Sequence, residues 1–268
     1  MIIGLALTLL RMTTRTSKYV LTAMLAAVVL YLGGCAPMYV LQLCPSYVVC
    51  YVNLNTVELW QEPTNPNAMI VHHGNDLPVR MYSMNSSGAE KEVYDSLCRK
   101  HNDLHYNQSR SFPKEVNDYS SVTYNCRDFL SIEVVCDKDF DEQHPAGASL
   151  CDIVRFMSWS PYKYIASGYS KYYNYNAWTL SEAFKELMPI YFSDEWFQES
   201  TSATCYPIDK MAKDLTPSDL ILLGHNYPGF LGMLYFENGP RQPGEYTITV
   251  TLNCDDGYVI SNSAKMRF

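Results

Sequence analysis

The chain has 268 residues, 47% of them hydrophobic and 18% charged, with a net charge of −8. That apolar share can fill a sizeable core, while the acidity excludes an electrostatic grip on nucleic acid or on anionic lipid, both of which need basic surface. No Pro/Ser/Gly-rich linker, heptad or repeat divides the chain, so one compact domain is expected rather than two small ones.

Two apolar pieces open the sequence, Met1 to Leu10 and Tyr19 to Leu32, with Arg11, Arg15 and Lys18 between them. The second is shorter than the ~20 apolar residues of a membrane span, and its basic head and small residues at the end follow the pattern of a secretory leader. A start at Met12 gives the usual single apolar block. The ending Leu32-Gly33-Gly34-Cys35 resembles the lipobox of bacterial lipoproteins, where the chain is cut before the cysteine and the new N-terminal cysteine carries the lipid, palmitate included. The resemblance implies a signal peptide over 1–34, lipidation of Cys35, a tether over 35–45 and a domain over 46–268. It also implies attachment to a bacterial membrane, on the periplasmic or surface side of the outer membrane. Loss of the three leader cations takes the net charge from −8 to −11. The aromatic-rich body resembles uncharacterised envelope lipoproteins of the Bacteroidota type, and no narrower family.

The domain reads mainly as strand. Ser46 to Trp60 is rich in β-branched and aromatic residues, and Ala68 to His72 is short and apolar, so both are expected to be extended. In Leu130 to Asp137, Ile132, Val134 and Cys136 alternate with Ser131, Glu133 and Val135, the pattern of a half-buried strand. Gly229 to Phe236, Gly244 to Leu252 and Tyr258 to Phe268 are expected to form a C-terminal meander. In it Tyr246, Ile248, Val250 and Leu252 oppose Thr247, Thr249 and Thr251, and Asp256-Gly257 turns the last hairpin. Such a hairpin looks like the last strands of an immunoglobulin-like sandwich. The fold class is therefore a β-rich, immunoglobulin-like or related antiparallel sandwich with short helical inserts near 89–105 and 179–214. Ala89 to His105 sets Val93, Leu97 and Leu104 on one stripe. Leu180 to Met188 is capped by Thr179 or Ser181 and stopped by Pro189, and Ile208 to Asp214 reads as a further helical turn.

Nine cysteines are present. With Cys35 lipidated, Cys44, Cys50, Cys98, Cys126, Cys136, Cys151, Cys205 and Cys254 are an even set that an oxidising envelope compartment would pair as disulfides. Their spacing lacks the CxxC pattern of a zinc site.

Four clusters carry possible chemistry. His101 and His105 are four apart on the expected helix, but Asn102 stands where a zinc protease has its glutamate, and a polar patch facing solvent near a helix end is the favoured reading. Asp137, Asp139 and Asp141 have the spacing of a calcium loop, yet Glu142 and Ala148 occupy the positions of its glycine and final glutamate, which leaves an acidic loop after a strand. Tyr169, Tyr172, Tyr173, Tyr175 and Trp178, with Asn174 and Asn176 between, are the candidate ligand-binding residues, since tyrosine presents a large apolar body and a polar tip; packing of an insert is the competing use. Asp95-Ser96-Leu97 resembles a short O-glycosylation sequon. No nucleophile elbow, phosphate loop or dinucleotide fingerprint occurs, and no cofactor or metal is expected. The expected function is that of a binding or structural module for an envelope protein or a glycan, without enzymatic activity. A hydrolase of glycan or peptide is the alternative.

Overall fold

The computed structural model describes residues 42–74, 80–112, 123–170, 180–191, 205–224 and 229–268. The leader, Leu32, Gly33, Gly34 and Cys35 lie outside them. The described strands are β1 (Gln42–Cys44), β2 (Cys50–Val52), β3 (Val57–Gln61), β4 (Ala68–His73), β5 (Met81–Ser83), β6 (Asn107–Phe112), β7 (Thr123–Asn125), β8 (Phe129–Cys136), β9 (Val154–Ser160), β10 (Tyr206–Met211), β11 (Phe230–Phe236), β12 (Glu245–Cys254) and β13 (Val259–Arg267). The described α-helices are α1 (Ala89–Lys100), α2 (Tyr162–Ala166) and α3 (Glu182–Leu187).

Two sheets make the body, a five-stranded one in the order β10-β9-β11-β4-β3 and a three-stranded one in the order β13-β12-β8. Every neighbouring pair in both is antiparallel. Taking β3, β4, β8, β9, β11, β12 and β13 as strands A to G gives A-B-E-D opposite C-F-G, the order of a constant-type immunoglobulin sandwich, with β10 added outside D. A second mark of that architecture is the hydroxyl of Tyr246, which donates to the carbonyl of Gln242 over 2.8 Å at the start of strand F. The B–F disulfide of antibody domains has no counterpart here. Met69 and Val71 of β4 and Ile248 and Val250 of β12 instead fill the layer between the sheets with side chains alone.

The alternation read in β8 and β12 is the alternation seen. Ile132, Val134 and Cys136 are buried, as are Tyr246, Ile248, Val250 and Leu252, while Thr247, Thr249 and Thr251 lie on the outer face. There, Thr249 pairs with Ser263 and Thr251 with Ser261 through their hydroxyls. Gly257, at φ 80, turns the last hairpin as expected. The free edge of β13 is covered by Gln61 of β3, whose side-chain amide donates to the carbonyl of Arg267 and accepts from its N–H.

The five-stranded sheet is buried on both faces. Val154, Phe156, Leu231 and Leu234 point into the sandwich. Ile70, Met157, Trp159 and Met233 point the other way, against Phe184, Leu187 and Met188 of α3 and its 3-10 extension. Gly232 lies where a Cβ would come within 2.5 Å of the Phe156 ring, so its bare backbone lets that ring cross β11. Ser181 caps α3 by accepting from the Phe184 N–H, and the chain continues through Pro189 as a 3-10 turn.

Several expectations are corrected. Ser46 to Trp60 is not one strand, since β2 and β3 belong to different sheets. β11 and β12 are not neighbours in a meander, because residues 237–244 cross from one sheet to the other. Ile208 belongs to strand β10, and only Ala212–Asp214 makes a 3-10 turn. On α1 the inward stripe is Tyr94 and Cys98, while Val93 is exposed. The disulfides are not formed: Cys50, Cys98, Cys126, Cys136, Cys151, Cys205 and Cys254 are all thiols, and the side chain of Cys44 lies outside the description. Cys136 sits opposite Ile248 and Cys254 opposite Phe129, at the two ends of the β8–β12 ladder, too far apart to be bridged. Burial raises the thiol pKa of Cys50, Cys98, Cys126, Cys136 and Cys151, and pushes that of Cys254 up to about 11.

If the layer between the sheets carries the fold, Ile248→Ala lowers the free energy of unfolding by ~2 to 5 kcal/mol, whereas Tyr246→Phe lowers it by ~1 kcal/mol for the lost hydroxyl bond. Urea denaturation with an unchanged slope measures both.

Candidate binding site at the insertion end

The B–C and D–E connections and the F–G hairpin leave the sandwich at one end, the end at which variable domains carry their recognition loops. Here two of the three are long. The B–C insertion holds β5, α1, β6 and β7, and the D–E insertion holds α2, α3 and β10. Together with the segment ahead of β3 they build a lobe around the small sheet β5-β2-β7, in which β2 and β7 run parallel.

Tyrosine dominates the interior of this lobe: Tyr47, Tyr51, Tyr82, Tyr94, Tyr124, Tyr164 and Tyr206 are buried in one cluster with Val48, Ile165 and Leu222. The rings meet edge to face, Tyr47 on Tyr106 at 5.1 Å and on Tyr164 at 5.4 Å, the arrangement their quadrupoles favour. Their hydroxyls reach polar partners. That of Tyr94 donates to the Val48 carbonyl over 2.7 Å, and the Cys205 sulfur lies 3.9 Å from the Tyr124 hydroxyl.

Asp103 organises the cluster. Its carboxylate is fully buried and accepts the N–H of Tyr47 at 2.7 Å, the N–H of Val48 at 2.8 Å and the hydroxyl of Tyr169 at 2.8 Å. Burial raises its pKa in spite of these three donors. Burial likewise pushes the Tyr164 phenol up to about 12.

Two residues earlier, His101 is the C-cap of α1, on the same stripe as Tyr94 and Cys98. Its Nε2 donates to Asp128 at 3.0 Å, and its Nδ1 shares a hydrogen bond of 3.1 Å with the Tyr51 hydroxyl. Lys100 bridges Asp128 and Asp255 at 2.7 and 2.6 Å, and Arg127 holds Asp256 at 2.7 Å while lying over the Tyr258 ring. Burial opposes ionisation of Asp128, but His101 and Lys100 together hold its carboxyl below the usual range. These contacts fasten the lobe to the F–G hairpin. His101 is therefore not a solvent-facing residue, and its burial corrects that expectation. His105 is exposed beyond the helix end, and α1 stops before it, so the two rings do not share a face.

Beside the cluster, a groove of about 410 Å³ runs along α1. Ser46, Tyr94 and Cys98 line it, Met84 and Leu104 flank it, and Arg99 stands at its rim. The Lys91 ammonium, also at the rim, is paired with Asp95 one turn on. Among the sequence candidates, Tyr169 belongs to this lobe: half-buried, it packs against Tyr106 and Tyr164 and gives its hydroxyl to Asp103. Tyr172, Tyr173, Tyr175 and Trp178 lie outside the described residues.

The three alternating aspartates cap loop N–H groups rather than converge on a cation. Asp137 accepts from Thr247, Asp139 from Ala146, and Asp141 from Gln143 and His144. Among the described residues, no group of three His, Cys, Asp or Glu side chains is placed to hold a metal.

Sequence reasoning missed Asp103, Asp128 and the tyrosines ahead of residue 162, because no spacing rule relates Asp103 to Tyr47 across the chain. The fold and lobe define a class, an immunoglobulin-like sandwich elaborated at the end where the B–C, D–E and F–G connections leave it. Comparison with known proteins goes no further: no family model matches the chain, and no curated protein or solved structure matches it.

Removing the Asp103 carboxylate leaves two backbone N–H groups and a phenol without their acceptor. Asp103→Ala is expected to lower stability by at least ~3 kcal/mol, since each buried orphan costs ~1 to 3 kcal/mol. It should also expose the amides of Tyr47 and Val48 to hydrogen exchange before those of β12.

Proposed function

We propose that the protein is a lipid-anchored module of a bacterial cell envelope that binds another envelope protein or a glycan through its insertion end. The reading is carried by Leu32-Gly33-Gly34-Cys35 behind a short apolar segment with a basic head. The acidity of the chain leaves a covalent lipid as the link to the membrane. Recognition on a sandwich is commonly placed on loops at one end of a rigid scaffold, and this chain enlarges two of those connections into a lobe with a groove. The described thiols whose pKa burial raises are poor nucleophiles, which favours binding over thiol catalysis.

Metabolic labelling with a palmitate analogue tests the anchor. Wild type is expected to take the label and Cys35→Ala to lose it; equal labelling of both ends the lipoprotein reading. For the recognition half, a photo-reactive residue at Arg99, on the groove rim, is expected to give adducts in intact cells. One at Ser261, on the outer face of the three-stranded sheet, is expected to give none.

A further inference from the structure

At the other end of the sandwich, the loop 137–153 between β8 and β9 folds around His144. The residue is 7% exposed, and its ring lies between two carboxylates, with Nδ1 2.7 Å from Asp141 and Nε2 2.9 Å from Asp152. A carboxylate can only accept, so both ring nitrogens must donate, and only the imidazolium has two N–H groups. The neutral ring would turn a lone pair toward one of the carboxylates.

The loop so held closes over the core. The His144 carbonyl accepts the Phe140 N–H, and Phe140 is buried against Phe236, Tyr246 and Phe268. Gly147 and Leu150 donate to the carbonyls of Cys136 and Val134, and Ser149 bridges Val135, which covers the outer edge of β8. The neighbouring E–F loop joins in where the Arg241 N–H donates to the Phe140 carbonyl. Between the two loops lies a cavity of about 390 Å³ lined by Lys138, Asp139, Phe140, Asp141, Arg241 and Gln242.

The charged surroundings favour the proton. From its own loop His144 meets Asp141 and Asp152, with Asp137, Asp139 and Glu142 nearby and Lys138 as the cation. β8 brings Cys136, whose sulfur donates to the Lys138 carbonyl. The E–F loop brings Arg241, paired with Glu142 at 2.5 Å. β12 brings Glu245 and Tyr246, and Lys138 turns to these, donating to the Glu245 carbonyl and lying over the Tyr246 ring.

We propose that loop 137–153 is a clasp closed by the imidazolium form of His144, so that this end of the sandwich loosens as pH rises. Burial works against the charge on His144, but Asp141 and Asp152 outweigh it and raise the pKa above its ordinary 6.5. A histidine raised in the fold stabilises fully below its unfolded value and loses that contribution as pH climbs through the folded value. The clasp is thus shut in acid and opens on the alkaline side of 6.5.

NMR of the ring nitrogens in the full chain, with amide exchange followed beside it, tests the clasp. At pH 6.5, where an ordinary imidazole is half charged, His144 is expected to be mostly imidazolium. As its proton leaves, the amides of His144 and Ala146 should gain exchange relative to those of β12. A ring half charged or less at that pH overturns the proposal, as does deprotonation with no relative change in exchange. His144→Gln is expected to give an opening independent of pH. Should that variant fail to fold, Asp152→Asn removes the more exposed carboxylate and is expected to move the midpoint down by up to about one unit, tenfold in proton affinity. A midpoint that stays put overturns the two-carboxylate clasp.

Discussion

Tyr246, Ile248, Val250 and Leu252 of β12 share one apolar layer with Met69 and Val71 of β4, and the removal of that layer from water draws the two sheets together. Each such side chain contributes ~1.5 to 3 kcal/mol on full burial, so a row of them outweighs any single polar contact in the molecule. The layer also fixes the register of β12 with β8 and β13, since a shift of one residue would turn the threonines inward. No inter-sheet disulfide assists. Of the described thiols all but Cys126 are buried.

A sheet pressed on one face against another still has a second face to cover. The three-stranded sheet leaves its outer face to water and carries threonine and serine there. The five-stranded sheet instead presents Ile70, Met157, Trp159 and Met233, and the D–E insertion lays α3 across them. Length added between strands D and E is thus required by the chemistry of the strands themselves. The B–C insertion has no such sheet to cover and builds an interior of its own. Tyrosine suits that interior, because a lobe of short strands and turns has many backbone groups to satisfy and a phenol brings both apolar area and a hydrogen bond. Asp103 shows the cost and use of this arrangement. A buried carboxylate is unfavourable, but it ties residues 47, 48 and 169 to a single point.

The two ends of the sandwich therefore differ in character. One is an aromatic lobe held to the F–G hairpin by Lys100 and Arg127. The other is a loop whose closure depends on the charge of one histidine between two carboxylates. The recognition proposed for the first and the acid sensitivity proposed for the second require no contact between them, since the shared core between the sheets separates them.

The strands open to water on one face were legible in the sequence, and β8 and β12 have the alternation read from their residues. The strands of the five-stranded sheet hid their partners. Phe230 to Phe236 is apolar throughout because both its faces are buried, so periodicity gave no sheet and adjacency in sequence suggested the wrong neighbour. Leu97 of α1 and Leu104 beyond its end pack against the lobe as the stripe implies, but Val93 is exposed and Tyr94 and Cys98 take the buried positions, because the lobe selects by shape and hydrogen bonding as well as by hydrophobicity. By itself the sequence determined the β-rich class and the C-terminal hairpin with its Asp256-Gly257 turn, and it narrowed the cap of α3 to Thr179 or Ser181, all of which rest on neighbours a few residues apart. Only the tertiary structure decided the A-B-E-D on C-F-G order, which of Thr179 and Ser181 caps α3, the absence of disulfides among the described cysteines, the burial of His101 and the grip of Asp103 and of His144 on their partners. Those depend on groups far apart in the chain or on which face is dry, and both are settled by packing.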